Sequence, residues 1–92
     1  MCRSIKTLAN FKPPATDEEI RSSALQFVRK LSGTTRPSRV NEDVFDRAVD
    51  EVTAAAHRLI HSLQTSAPPR DRETERRRAH ERALKRFGPG PA

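Results

Sequence analysis

Four groups of residues in this 92-residue chain have types and spacings suited to chemistry. Cys2 follows Met1, so removal of the initiator would leave a cysteine with a free α-amine. Such a residue can bind metal through sulfur and nitrogen, or attack an electrophile with its own amine as base. Arg3 and Lys6 would favour its thiolate. N-terminal-nucleophile enzymes rest on αβ sandwiches, whereas this chain predicts no sheet, so an incidental cysteine is the expectation. His57 and His61 stand four apart on one helical stretch, a spacing that lets two imidazoles share a metal. The zinc-protease pattern needs Glu after the first histidine, and Arg58 stands there. Two ligands without a third predict a solvated pair, and neither metal nor cofactor is expected.

The other two groups are basic. Arg36 and Arg39 flank Pro37-Ser38 just before a predicted helix N-terminus, where backbone N–H groups can hold an anion. With no Gly-Lys-Ser/Thr this is not a Walker loop, and a solvated loop is the plainer reading. Arg76, Arg77, Arg78, Arg82, Lys85 and Arg86 form the strongest electrostatic signal. Arg78, Arg82 and Arg86 repeat every four residues and repel along one helix face, by about 0.2–0.5 kcal/mol per pair. A phosphate backbone would reverse that penalty, although a solvated face is the usual fate of a charge run.

The elements that must position these groups are helices. Residues 41–64 carry Val44, Phe45, Ala48, Val49, Val52, Ala55, Ala56, Leu59, Ile60 and Leu63. At roughly 100° per residue these share an arc of about 160°. That is too broad for a thin coiled-coil seam and predicts the central helix of a small bundle. Asn41 is its predicted cap, and Val40 with Phe45 a predicted hydrophobic staple. Upstream, Thr16-Asp-Glu-Glu19 is a capping box and Gly33 a left-handed exit, which predicts a helix over 17–32. Ile20, Ala24, Phe27, Val28 and Leu31 share its apolar face, with Leu25 to the side against the N-terminal arm. Arg29 and Lys30 are placed to come near the basic loop after the Gly33 turn. Ile5, Leu8 and Phe11 predict one helical turn or an irregular arm laid on the bundle, ended by Pro13-Pro14. Residues 71–87 have strong helix formers and a Gly88-Pro89 stop. Glu73–Arg77 and Glu81–Lys85 are favourable pairs within it. Its thin apolar content predicts docking by the C-terminal half alone.

Length and composition predict one domain over residues 1–88 with a disordered tail at 89–92. Of 18 Val, Ile, Leu and Phe residues, 16 precede residue 70, so the core is modest and dimerisation would enlarge it. The net charge is +6, distributed as +5 over residues 1–40, −3 over 41–69 and +4 over 70–92. This balance favours anionic partners and lets the ends attract the middle, within or between chains. One cysteine excludes an internal disulfide framework, and no 18-residue apolar run or signal-peptide core occurs. A cytoplasmic protein with no membrane partner is therefore expected. Trp and Tyr are absent and only four Phe are present, so base-stacking platforms are scarce.

MCRSIKTL, FKPPATDEEIR (11–21), ALQFVRKLSG (24–33), P-S-x-x-N (37–41), FDRAVDEV (45–52) and APPRDRE (67–73) form an ordered series. The series resembles domain-of-unknown-function family 2277, short and mostly bacterial proteins. The resemblance implies no activity, substrate or catalytic residue. Ser4 stands where the family usually has Asn, Ala9 and Thr34 where aromatics are common, and His57 and His61 replace other residues. The histidines thus inherit no family role.

The sequence therefore predicts an all-α small helical bundle: a hairpin of 17–32 and 42–64, a charged third helix over 71–87 and an N-terminal arm. Its leading function is a non-enzymatic binding module for nucleic acid or another polyanion, through Arg36, Arg39, Arg76, Arg77, Arg78, Arg82, Lys85 and Arg86. The alternative is a protein-interaction module, for instance a homodimer. A metal- or Cys2-dependent enzyme ranks last.

Overall fold

The computed structural model describes residues 5–87. In chain order these form β1 (Phe11–Lys12), α1 (Asp17–Ser32), a 3-10 turn (Arg39–Asn41), α2 (Glu42–Ser62), β2 (Arg70–Asp71) and α3 (Arg72–Phe87). The fold is small and mostly helical, as predicted.

α1 begins and ends where its local signals place it. The Thr16 hydroxyl accepts from the Glu19 backbone N–H at 3.1 Å, and the Glu19 carboxylate accepts from the Thr16 N–H at 2.9 Å. This reciprocal cap satisfies two backbone donors that a helix start otherwise leaves open. Gly33 closes the helix at φ +72°, where a side chain would be strained, and its N–H reaches the Arg29 carbonyl. The Arg29 Nε in turn donates to the Thr35 carbonyl at 3.1 Å, which fixes the start of the basic loop.

α2 departs from expectation at its start and stops two residues early. The 3-10 turn carries Val40 outward, 85% exposed, so no staple forms with Phe45. The same turn aims the Asn41 amide at the Ser38 hydroxyl, 3.1 Å away, rather than at the helix, and α2 has no side-chain cap. At the other end Leu63 already has an extended ψ of 134°.

The two helices pack as a hairpin. Ile20, Ala24, Val28, Phe45 and Val49 are buried, and Leu25, Ala48 and Val52 pack against the Val28–Phe45–Val49 cluster. Leu25 thus packs against the core of the hairpin. Phe27 and Leu31, expected inside, are 43% and 73% exposed, and Val44 is 72% exposed. One helix of α1's width cannot cover a 160° stripe, so α2 keeps a bare apolar flank.

The arm is irregular, with Ile5, Leu8 and Phe11 half-buried. β1 and β2 pair in parallel, Phe11 with Arg70 and Lys12 with Asp71. Sequence periodicity gave no sign of this two-residue ladder. α3 starts one residue later than predicted because Asp71 caps it, accepting from the Thr74 N–H and hydroxyl at 2.9 and 2.8 Å. Its attachment is the reverse of the prediction: the first turn is tied down, while Ala79, Ala83 and Leu84 are exposed. Within α3 Glu75 and Arg78 pair at 3.5 Å, and among the described residues neither Glu73–Arg77 nor Glu81–Lys85 forms an ion pair. The radius of gyration is 16.4 Å, against roughly 12 Å for a compact chain of this length. The excess reflects a third helix that projects instead of joining a bundle.

Candidate anion-binding cleft

The segment that precedes α3 builds a cleft at the N-terminal end of α1. Asn10 has φ +62°, a left-handed conformation that asparagine tolerates better than most residues. That turn aims its amide at the Pro68 carbonyl, 3.2 Å away, while its own carbonyl accepts from the Arg70 N–H at 2.8 Å. The ladder then brings Arg70 and Arg72 beside Phe11, each guanidinium carbon 5.9 Å from the ring centroid, within cation–π range.

Arg72 completes the joint. Its two terminal nitrogens donate to the two Glu19 carboxylate oxygens, each at 2.8 Å. Its Nε donates to the Pro13 carbonyl at 2.9 Å and a terminal nitrogen to the Pro14 carbonyl at 3.0 Å. A bidentate guanidinium–carboxylate pair is among the stronger charged contacts. The Arg72 guanidinium, foremost, and the Thr16 N–H hold the Glu19 carboxyl down from 4.5 to about 2. Glu19 raises the Arg72 pKa in return. Asp71 lies below the usual carboxylate range because the Thr74 hydroxyl and N–H stabilise its charged form. Glu19 thus serves both the cap of α1 and the anchor of α3.

The resulting cleft, about 440 Å³, lies between the arm and α3. Its lining includes Lys6, Arg70, Arg72, Arg76 and Arg82 and, among the described residues, only two carboxylates, Glu19 and Glu75. Glu19 is taken by Arg72, and Glu75 by Arg78 at 3.5 Å. Lys6, Arg70, Arg76 and Arg82 are exposed and, among the described residues, have no ion-pair partner. Arg72, Glu75, Ala79 and Arg82 follow at steps of three, four and three, with Arg76 one turn after Arg72, so a single face of α3 looks into the cleft. Four unpaired cations around a concave surface concentrate positive potential, which suits a phosphate or a string of them.

This arrangement gathers only part of the predicted basic set. Arg76 and Arg82 enter the cleft. Arg77 lies in a shallow depression with Asp71, Glu73 and His80, while Lys85 and Arg86 are exposed beyond the cleft. Arg78 is turned to Glu75. Arg36 lines an apolar groove at the opposite end of α1, and Arg39 is exposed in the adjoining 3-10 turn, so the loop pair does not join the α3 arginines. Lys6, Arg70 and Arg72 were not among the predicted site residues. Their signal was their place in MCRSIKTL and APPRDRE, which named no spatial partner.

The other candidates fall elsewhere. Cys2 lies outside the described residues. His57 and His61 are exposed with ring centroids 4.2 Å apart, and His57 Nε2 is 3.4 Å from an Asp17 carboxylate oxygen. Among the described residues no group of three or more His, Cys, Asp or Glu converges as a metal site. Nor, among them, is any helix long and apolar enough to cross a membrane.

Neither curated proteins nor solved structures gave a match to the chain. A family model described as an uncharacterised conserved protein, DUF2277, matches residues 1–78. The match takes in Lys6, Glu19, Arg70, Arg72 and Arg76 and ends before Arg82, Lys85 and Arg86. With most of its length matched, the chain belongs to this family of uncharacterised conserved proteins.

Proposed function

We propose that the protein is a non-enzymatic, cytoplasmic binding module for a phosphate polyanion, nucleic acid foremost, held in the cleft between the arm and α3. The single observation that supports this reading is the set of four exposed cations, Lys6, Arg70, Arg76 and Arg82, around one concavity, none of them in an ion pair among the described residues. Each phosphate they neutralise releases condensed counterions, so the affinity carries a strong salt dependence. The cleft has one aromatic ring, Phe11, already flanked by two guanidinium groups, and no Asn or Gln. Adenine edges therefore lack their usual amide partners, and the contacts are chiefly to phosphate, which carries little sequence information.

The test is a fluorescence-anisotropy titration of labelled single- and double-stranded oligonucleotides at three salt concentrations. Wild type binds with a roughly micromolar dissociation constant at low salt and weakens steeply as salt rises. Arg76→Gln with Arg82→Gln lowers the affinity and flattens the plot of log K against log salt by roughly 0.9 per lost duplex contact. The melting temperature stays in place because both side chains are exposed. No binding at low salt, or equal binding by the double mutant, overturns the proposal.

A further inference from the structure

We propose that the bare apolar face of the α1–α2 hairpin is the interface of an antiparallel two-fold dimer, in which a second copy of this chain completes a four-helix bundle. The proposal is independent of the polyanion reading, since the basic cleft lies at the other end of α1.

The face is continuous. Phe27 and Leu31 of α1 and Val44, Ala48 and Val52 of α2 line a groove of about 860 Å³. Leu59, 59% exposed, extends the same side of α2. Positions 44, 48, 52 and 59 follow at steps of four, four and seven, which keeps them on one helix face as in a helix–helix seam. α3 does not cover it, because α3 is anchored by Arg72 to Glu19 in the first turn of α1, whereas the groove opens beside Phe27 and Leu31 in its last turns. Two helices alone enclose five buried side chains on one side of each helix. A second hairpin laid on that side gives the smallest arrangement in which the whole stripe is buried.

Charge identifies the second hairpin as a copy of the first. Arg47 and Glu51 lie one turn apart on the outer edge of the seam, both exposed and, among the described residues, without an ion-pair partner. Arg before Glu is the less favourable order for a pair within one helix. A two-fold axis crossing α2 near this level sets each Arg47 beside Glu51 of the other copy, so the opposed charges are satisfied twice by one operation. The same operation carries the basic loop, with Arg36, toward the C-terminal end of the other α2, where the helix dipole is negative.

Sedimentation equilibrium of the full chain over a wide concentration range tests the proposal. The mass is expected to rise from 10.4 kDa to twice that value. Arg47→Glu alone and Glu51→Arg alone each place like charges opposite one another twice, and each raises the dimer dissociation constant roughly tenfold. Mixed in equal amounts, the two variants form a heterodimer with both pairs restored, and its constant returns to that of wild type. Leu31→Glu abolishes the dimer, with helicity checked by circular dichroism. A wild-type chain that stays monomeric at millimolar concentration overturns the proposal. So does a dimer that ignores the single reversals, or a mixture no tighter than its components.

Discussion

In the α1–α2 hairpin, Ile20, Val28 and Val49 are pressed out of water and no buried side chain is polar. At the arm–α3 joint the positions are reversed: Arg72, Glu19 and Asn10 carry the contacts, and the large apolar residues are only half-buried. The first region is held by area, which is non-directional and indifferent to pH. The second is held by a few directional hydrogen bonds, the strongest of them a bidentate Arg72–Glu19 pair that exists only while both partners keep their charge. The difference suits the proposed functions. An apolar region can present a face to another copy, whereas a joint built from charge can leave neighbouring cations turned to a ligand.

The contrast can be broken from the apolar side first. Ile20→Ala removes a side chain that is 0% exposed, at a cost of about 2–5 kcal/mol. In a domain this small that is a large share of the total stability. Thermal melting followed by circular dichroism should show the whole transition moving to lower temperature.

The charged joint responds to a different variable. The Glu19 carboxyl is held below its unfolded value of 4.5, at about 2. Its contribution is therefore complete above pH 4.5 and is lost as the pH falls from there toward 2. Acid should detach α3 and the arm while the hairpin persists, read as faster amide exchange at residues 5–12 and 72–78 than at 20–28. Arg72→Ala should produce the same pattern already at neutral pH. The loss is on the order of 1.5–3 kcal/mol for the charged contacts, with little change in hairpin exchange.

The smallest effect belongs to an ion pair that neither region relies on. Arg21 and Asp50 meet at 2.7 Å across the hairpin, with side chains 55% and 65% exposed. Water and side-chain entropy leave such a pair worth about 0–1 kcal/mol. Asp50→Ala should melt within a few degrees of wild type, and a larger drop would show that the hairpin also depends on charge.

The hairpin was legible in the sequence because its instructions are local. Thr16 and Glu19 are three residues apart, Gly33 follows the last turn of α1, and the apolar repeat marks the packed faces. Those signals report which residues are apolar, not what covers them, so Phe27, Leu31 and Val44 were expected inside. The Asn41 cap and Val40 staple failed because a 3-10 turn, with no distinct sequence signature here, rotated both residues away. The cleft was half legible. Charge density marked Arg76 and Arg82, but the residues that turn the run into a site, Arg70, Arg72 and Lys6, depend on partners far away along the chain.

That distance also sets an order of assembly. Arg72 and Glu19 are 53 residues apart, and Asn10 and Pro68 are 58 apart. Closing so long a loop in an open chain costs entropy that grows with the logarithm of its length, before any contact compensates. The hairpin, whose facing residues are nearer in sequence, folds the intervening chain back on itself and shortens the effective loop. The joint is then cheapest to close once α1 and α2 have met, and its long-range contacts belong to the late part of folding. In the reverse direction it is the first element to let go. The protein thus has a route by which α3 and the arm swing open while the hairpin stays native, with the Arg72–Glu19 pair as the latch and the 63–69 connection as the hinge of α3.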